Sequence, residues 1–394
     1  MACNRHRIHY VRSMAYDRDS RDISAPKSAV YANEEQQLPD NSPMNPAIEI
    51  LGFSKAKLEK LMQSRNRAAF HGRQIFSWMY GRGCTDFAGM TDLSASLRDE
   101  LQKEFSISPL TELERATSSD TTEKYLFALS DGAEVETALI PDRNTTTACV
   151  SSQVGCALAC KFCATGTLDL KRNLTAGEIV SQLLHLRREK GERAFSNIVF
   201  MGMGEPLHNY DALVKALEII IDSDGLAVPR RRITVSTSGI TPKITRLAES
   251  GLGVNLAVSL HAATQVKREQ IMPVAQTFAL DKLILAAQFY AETVGKRITF
   301  EYVLLQGFND TYEDCKKLSS LIRNLDCKVN ILPYNPVPGL DFTRPTAAQV
   351  DRFAAGLADR GVTVTVRTSR GRDIAAACGQ LAATRFGRQK RHPA

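Results

Sequence analysis

Residues 149–166 read CVSSQVGCALACKFCATG and hold four of the nine cysteines of the chain. Cys156, Cys160 and Cys163 follow the spacing C-x3-C-x2-C, and Cys149 precedes them. An odd number of cysteines, clustered in this way, indicates metal binding or thiol chemistry rather than a disulfide scaffold. The stretch also begins the repeating pattern that decides the fold.

From residue 147 onward, segments with the character of strands alternate with segments of helical period. The predicted strands are residues 147–151, 197–202, 232–238, 253–261, 297–304 and 328–334. The predicted helices between them are residues 175–190, 209–223, 241–250, 279–294 and 311–325. The pattern predicts an α/β fold with a parallel sheet, an open partial (β/α)6 barrel, whose functional residues lie at the carboxyl ends of the strands.

The rest of the chain divides by composition and period. Apolar residues recur at helical spacing before residue 110, whereas residues 125–129 are apolar and lead into the turn sequence SDG. We predict a disordered leader (1–45), a helical accessory domain (46–110), a β-hairpin extension (111–146), a barrel core (147–378) and a basic C-terminal tail (379–394).

The formal net charge of +7 and the isoelectric point near 8.9 favour a polyanionic partner such as nucleic acid. No run of about eighteen apolar residues is present, so we expect no membrane span. The first residues lack the continuous apolar stretch of a secretory signal peptide. We therefore expect a cytoplasmic protein.

The three closely spaced cysteines follow the first predicted strand, where barrel enzymes place their chemistry. A structural zinc site is closed by four ligands, and no second cysteine or histidine pair follows in the sequence. Three thiolates suit a four-iron, four-sulfur cluster with one iron open to another ligand. A nucleic-acid-binding protein whose structural metal is held by these cysteines remains the alternative of a different class.

Several motifs together carry a family resemblance. They are CVSSQVGCALACKFCATG, FMGMGEPL, STSG, SLHA, YNP and RGRDIAAACGQL. The cysteine loop, with Phe162 before its last cysteine, resembles the radical S-adenosylmethionine superfamily, and residues 50–385 as a whole resemble its adenosine-methylating RlmN/Cfr subfamily. The resemblance implies an RNA methyltransferase that holds one 4Fe-4S cluster on Cys156, Cys160 and Cys163 and uses two S-adenosylmethionine molecules per turnover.

The resemblance also implies roles for three further residues. Cys378 first takes a methyl group and becomes S-methylcysteine; a radical formed from a second cofactor molecule then activates that methyl group for attack on the adenine ring. Cys149 attacks the Cys378 sulfur and releases the RNA, which is ordinary thiol exchange chemistry. Glu136 accepts the ring proton, a step that needs a base.

Polar residues at the predicted strand ends match the positions that contact the cofactor in the subfamily. These residues are Gly204, Glu205, Ser236, Ser259, Leu260, His261 and Asn335. Basic residues near the open end of the barrel are expected to contact RNA phosphates. We place these contacts in residues 229–232, in Arg367, Arg370 and Arg372, and in the tail.

The subfamily resemblance predicts methylation of adenosine carbon 2 in 23S rRNA, at the peptidyl-transferase centre, and in tRNA next to the anticodon. Methylation of carbon 8, which confers antibiotic resistance, is the nearest alternative. An enzyme that activates another protein through a glycyl radical is a third, and it would need neither Cys149 nor Cys378. The expected partners are 23S rRNA, tRNA and an electron donor such as flavodoxin or ferredoxin. The protein itself is expected to be a monomer.

Overall fold

The computed structural model describes residues 47–383. The predicted leader (1–45) and residues 384–394 of the predicted basic tail lie outside the described residues. No helix within 47–383 is both long enough and apolar enough to cross a membrane.

The amino-terminal part of the described chain is helical, as the period of its apolar residues predicts. Its helices are α1 (Lys55–Ser64), α2 (Phe70–Phe76) and α3 (Ala95–Glu104), and a π-helical turn (Ser77–Gly81) extends α2. Two short strands, β1 (Ile48–Glu49) and β2 (Phe105–Ser106), pair in parallel and bring the two ends of this region together. Ser54 and Ser94 cap α1 and α3 through their side-chain oxygens.

Ten strands form one continuous sheet. They are β3 (Thr111–Thr117), β4 (Glu123–Ala128), β5 (Glu134–Asp142), β6 (Thr145–Cys149), β9 (Asn197–Phe200), β10 (Ile233–Thr237), β11 (Asn255–Ser259), β12 (Ile298–Leu304), β13 (Cys327–Pro333) and β14 (Thr363–Val366). Two further strands, β7 (Gln153–Val154) and β8 (Arg172–Asn173), form a separate antiparallel pair. The order across the large sheet is β14-β13-β12-β11-β10-β9-β6-β5-β4-β3.

Strand direction divides this sheet in two. In this sheet β6 and the six strands from β9 to β14 run parallel to one another. The strands β3, β4, β5 and β6 pair antiparallel, each with the next. The six predicted parallel strands are confirmed, and β14 adds a seventh. β3 and β14 are the two edge strands of the sheet and do not pair with each other, so the barrel is open. The predicted hairpin is instead a three-stranded meander that joins the parallel strands through β6.

Helices connect the parallel strands, as a parallel sheet requires. They are α4 (Ala176–Lys190), α5 (Tyr210–Ile221), α6 (Thr241–Glu249), α7 (Gln265–Ile271), α8 (Val274–Thr277), α9 (Leu280–Val294), α10 (Tyr312–Leu321) and α11 (Ala347–Ala358). The predicted capping box is present: Thr175 accepts from the Glu178 amide, and the Glu178 side chain accepts from the Thr175 amide. One apolar core runs from the amino-terminal helices through the barrel.

Because all seven parallel strands point the same way, their carboxyl ends lie at one edge of the sheet. The cysteine loop follows β6 at this edge. The arginines Arg230–Arg232, in contrast, form a short helical turn just before β10. They therefore lie at the amino edge, so the sequence-based expectation that they face the open end of the site is wrong.

The first turn of α4 packs tightly against the amino-terminal region. A Cβ atom added at Gly177 would lie 2.4 Å from the Leu51 carbonyl oxygen, and one added at Gly52 would lie 2.6 Å from the Gly177 nitrogen. Real Cβ atoms do not approach backbone atoms so closely, so both positions require glycine. This contact fixes the helical region against the barrel.

Gly177→Ala is therefore expected to destabilise the protein by about 1–3 kcal/mol, because the backbone at Leu51 must move to admit a methyl group. Arg188→Ala, on the exposed side of the same helix, serves as the control. The urea midpoints of the two variants measure the difference. Equal midpoints would contradict the tight contact at Leu51.

Candidate active site

A cavity of about 1000 Å³, including its open mouth, lies at the carboxyl edge of the parallel strands. We call it the cofactor cavity. It is lined by the loops after β6, β9, β10 and β11 and by residues at the ends of β12 and β13. Most of the predicted cluster and cofactor residues line it: Cys156, Cys160, Cys163, Gly204, Glu205, Ser236, Ser259, His261 and Asn335. Leu260 does not; its side chain is fully buried in the core.

Backbone contacts hold the cysteine loop in place. The Lys161 amide donates to the Ile271 carbonyl oxygen at 3.0 Å, and the Ala164 amide donates to the Gly379 carbonyl oxygen at 2.7 Å. Gly155 has a φ of 78°, and a Cβ atom there would lie 2.0 Å from the Asp169 carbonyl oxygen. The loop is thus fixed to α7, to the segment after Cys378 and to the chain before β8.

The three loop thiols form a donor set that suits an iron–sulfur cluster. Burial raises the pKa of Cys156 to about 12 and that of Cys160 well above its usual value, and it also raises the pKa of Cys163. All three cysteines line the same cavity, and the charges of Cys163 and Cys156 act on Cys160. An all-thiol donor set of this kind is typical of an iron–sulfur cluster.

The Glu205 carboxylate is buried and already holds two backbone amides. Its Oε1 accepts from Leu207 at 3.1 Å and its Oε2 accepts from Ser238 at 2.7 Å. Burial nevertheless raises its pKa. These bonds fix the carboxylate at the wall of the cavity and couple the end of β9 to the end of β10.

His261 and Asn335 are both held by neighbouring groups. The Val303 amide donates to His261 Nδ1 at 3.0 Å, and burial lowers the pKa of this histidine to about 3, so the ring is neutral with its proton on Nε2. Asn335 Nδ2 donates to the Cys378 carbonyl oxygen at 3.2 Å, and its Oδ1 accepts from Arg344 at 2.9 Å. Asn335 therefore connects the cofactor cavity to the segment that carries Cys378.

A second cavity, of about 1520 Å³ with its open mouth, lies beside the first. We call it the substrate cavity. Cys149 lines only the substrate cavity, whereas Cys378 lines both cavities. Although Cys378 is exposed to the cavities, the protein around its sulfur desolvates it. The structure thus places Cys378 at the wall shared by the two cavities and Cys149 in the substrate cavity, on the side of that wall away from the cofactor cavity.

Burial has the largest effect on the pKa values of Cys149 and Cys378. It raises the pKa of Cys149 to about 12 and that of Cys378 to about 11. The positive charge of Arg367 opposes this effect at both thiols. Arg367 follows β14 and lines the substrate cavity, and Arg370 lies there too, 3.1 Å from Asp142. Arg372 lines neither cavity.

Glu136 lies apart from both cavities. Its side chain is fully buried, 3.0 Å from the Lys124 ammonium group. Its Oε2 accepts from the Ala382 amide at 2.9 Å. The structure therefore brings Glu136 to the segment after Cys378 and not to a cavity wall.

Sequence reasoning missed two charged residues at the site. Glu301, on β12, is buried and lines the cofactor cavity; its Oε1 accepts from Asn330 at 3.0 Å, and burial raises its pKa. Lys124, on β4, is almost completely buried beside Glu136. Glu301 interrupts the predicted strand RITFEYVL, and that interruption is the signal that could have revealed it. Lys124 follows Glu123 at the start of β4, where a charged residue is ordinary, so the local sequence does not distinguish it.

Two family matches cover most of the described chain. Residues 48–107 match the family described as "Ribosomal RNA large subunit methyltransferase N-terminal domain". Residues 150–318 match the radical SAM superfamily. The first match covers the helical region with β1 and β2, and the second begins at the cysteine loop and covers four of the parallel strands after β6 (β9, β10, β11 and β12), ending in helix α10.

Curated relatives and a solved structure extend this similarity to the whole chain. The dual-specificity RNA methyltransferase RlmN of Gluconobacter oxydans is 43% identical over 98% of this chain and 96% of that protein. The protein of the same name from Geobacter sulfurreducens is 47% identical over 86% of this chain and 93% of its own length.

The crystal structure of a radical SAM methyltransferase from Sphaerobacter thermophilus superposes with a TM-score of 0.81 at 42% identity, over 86% of this chain and all of that one. The partial barrel and the identity over nearly the full length agree with the motifs of the cysteine loop. The chain therefore belongs to the RlmN family of radical S-adenosylmethionine RNA methyltransferases.

Proposed function

We propose that the enzyme adds a methyl group to carbon 2 of adenosine, in 23S rRNA at the peptidyl-transferase centre and in tRNA next to the anticodon. The names of its relatives support RNA as the substrate and two specificities. The observation that carries the mechanism is the position of Cys378, at the wall shared by the cofactor cavity and the substrate cavity. A methyl carrier must reach both the donor and the acceptor.

The cofactor cavity offers a place for each group that the reaction needs. Cys156, Cys160 and Cys163 would hold the 4Fe-4S cluster, and the residues at the strand ends would hold S-adenosylmethionine. When bound and reduced, the cluster supplies the electron that cleaves S-adenosylmethionine and so provides the radical needed at an electron-poor ring carbon. Two S-adenosylmethionine molecules serve each turnover, one as methyl donor and one as radical source.

Cys378 acts first in this proposal. Its sulfur takes the methyl group by displacement, and its thiol proton must leave because the thiolate is the nucleophile. Burial makes this ionisation difficult, and the charge of Arg367 favours it. Asn335 donates to the carbonyl oxygen of Cys378 and would hold the backbone at this residue in place during the transfer.

Cys149 and Glu136 act after the methyl carbon has joined the adenine ring. The ring radical gives up one electron, which an oxidised cluster would accept, and Glu136 accepts the ring proton. The Cys149 thiolate then attacks the Cys378 sulfur: the disulfide forms as the bond from that sulfur to the methylene carbon breaks, and the carbon takes a proton to become the methyl group of the released RNA. The place of Cys149 in the substrate cavity supports this order, because the second thiol is needed only once RNA is bound. The enzyme works as a cytoplasmic monomer with flavodoxin or ferredoxin as electron donor.

Cys149→Ala should trap the protein–RNA intermediate. The cluster-loaded variant, isolated anaerobically and denatured, is expected to carry a nucleotide joined through a methylene group to Cys378, because no thiol remains to release it. Mass spectrometry of the peptide identifies the adduct, and sequencing of the attached RNA identifies the substrate.

Two controls frame the trapping experiment. The double variant Cys149→Ala/Cys378→Ala should carry no RNA, and Cys315→Ala, at a buried thiol of α10 outside both cavities, should behave as the unaltered enzyme. An RNA-free Cys149→Ala protein that holds its cluster and cleaves S-adenosylmethionine would contradict the two-thiol mechanism. The glycyl-radical alternative would then gain weight.

Isomer-resolved mass spectrometry of nucleosides from treated RNA should show 2-methyladenosine. Carbon 2 and carbon 8 products have equal mass, so the chromatographic separation of standards decides between them. RNA from a strain without the enzyme is the natural substrate and also the blank. A signal from 8-methyladenosine alone would assign the enzyme to the carbon 8 branch.

Arg367→Met should move the pH dependence of Cys378 methylation to higher pH. The arginine lowers the pKa of the Cys378 thiol, so its removal raises that pKa and reduces the thiolate fraction at any given pH. The rate of S-methylcysteine formation, measured without RNA from pH 7 to pH 10, reports this shift. Arg370→Met is the matched control, because Arg370 lines the same cavity but is paired with Asp142. Superimposable profiles for the two variants would exclude a role for the Arg367 charge.

A further inference from the structure

The antiparallel strands and the turn between β3 and β4 contact the segment that carries Cys378 both before and after this residue in the chain. We call residues 371–382 the carrier loop. Before Cys378, the Gly371 amide donates to Asp120 Oδ2 at 2.9 Å, and the Ser119 amide donates to Asp373 Oδ2 at 2.9 Å. Both contacts come from the turn between β3 and β4, which is distant in sequence.

Two further contacts come from a buried ion pair. Lys124 Nζ donates to the Ala375 carbonyl oxygen at 3.2 Å and lies 3.0 Å from Glu136 Oε1. Glu136 Oε2 accepts from the Ala382 amide at 2.9 Å. The two side chains are 1% and 0% exposed, so each needs its partner, and a buried charge left alone costs several kcal/mol. The pair thus bridges the carrier loop from Ala375, before Cys378, to Ala382, after it.

Strand register places this pair on the same face of the sheet as the second thiol. Lys124 lies opposite Ala138, and Ala138 lies opposite Cys149. Residues directly opposite each other share a face, because side chains alternate along a strand. On the other face, Tyr125 and Phe127 contact His185 of α4. The carrier loop is therefore held over the face from which Cys149 projects.

We propose that Lys124 is a positioning residue which, through Glu136 and the carbonyl oxygen of Ala375, fixes the carrier loop so that Cys378 stands between the two cavities. This inference rests on the proposed function of Cys378 as methyl carrier. Neither Lys124 nor Glu136 lines the cofactor cavity or the substrate cavity, so Lys124 acts through the loop and not on the substrate.

The same contacts tie the availability of Glu136 to the position of the loop. Its carboxylate holds the Ala382 amide on one oxygen and the Lys124 ammonium group on the other. Because Glu136 lines neither the cofactor cavity nor the substrate cavity, it can reach a ring proton only if the carrier loop that it holds moves.

Lys124→Met removes the charge and keeps an unbranched side chain, and Lys124→Arg restores a cation. Lys190→Met is the matched control: Lys190 also pairs with a β4 residue, lying 2.7 Å from Glu123, but it does not contact the carrier loop. Asp120→Ala removes the acceptor of the Gly371 amide at a half-buried site and loosens the loop independently of the ion pair.

The first readout is hydrogen exchange of residues 371–382 in cluster-loaded protein without RNA. We expect exchange to be at least about tenfold faster in Lys124→Met and in Asp120→Ala than in Lys190→Met, with partial rescue in Lys124→Arg. Because this measurement requires no turnover, its result does not depend on the proposed function. Unchanged exchange in Lys124→Met would overturn the proposal, whereas Asp120→Ala shows how fast the loop exchanges once a different contact is lost. If Lys124→Met fails to fold, Glu136→Gln, which removes the other charge of the pair, decides instead: unchanged exchange there would overturn the proposal.

The second readout separates binding from methyl transfer. S-methylcysteine formation at Cys378 should fall by about ten- to a hundredfold in Lys124→Met, because a displaced nucleophile loses its alignment. The dissociation constant of S-adenosylmethionine and the iron content should match those of Lys190→Met. Faster exchange together with an unchanged methylation rate would overturn the positioning role. Absence of S-methylcysteine in the unaltered enzyme would instead refute the proposed function.

Discussion

Strand β6 is the junction on which the rest of the structure depends. Its last residue, Cys149, is paired with Ala138 of β5 on one side and with Val199 of β9 on the other. The first pairing is antiparallel and the second is parallel. One short strand thus joins the meander that holds the carrier loop to the barrel that holds the cofactor residues, and the cysteine loop leaves from its carboxyl end.

Burial removes the thiols and carboxylates of the site from water and so disfavours their charged forms. Burial raises the pKa values of Cys149, Cys156 and Cys378, and it raises those of the carboxylates Glu205 and Glu301. Thiols in such surroundings react when positive charge lies close to them. Arg367 supplies part of this charge from the protein, and a sulfonium cofactor or the irons of a cluster are the kind of group that would supply more.

The sequence predicted the barrel well, because a buried parallel strand needs only a local apolar run and a helix after it. The cluster loop and the residues at strand ends were expected from the family resemblance, and the structure places all of them except Leu260 at the wall of one cavity. The sequence failed where the outcome depended on distant partners: the third strand of the meander, the addition of the strand VTVTVR (β14) to the parallel sheet, and the placement of Arg230–Arg232 at the amino edge. Leu260, taken with its neighbours from a motif, lies in the core because alternate residues of an extended segment face opposite ways.

The sequence by itself determined which residues are candidates for the chemistry: the cysteines of one loop, Cys378, and polar groups at the ends of predicted strands. Only the tertiary structure decided how they meet. Cys378 reaches the wall between two cavities because the carrier loop is bonded to Asp120, Lys124 and Glu136, residues far from it in the chain. Local period and spacing specify a strand or a turn, but the pairing of distant segments follows from sheet order and packing, which no local pattern encodes.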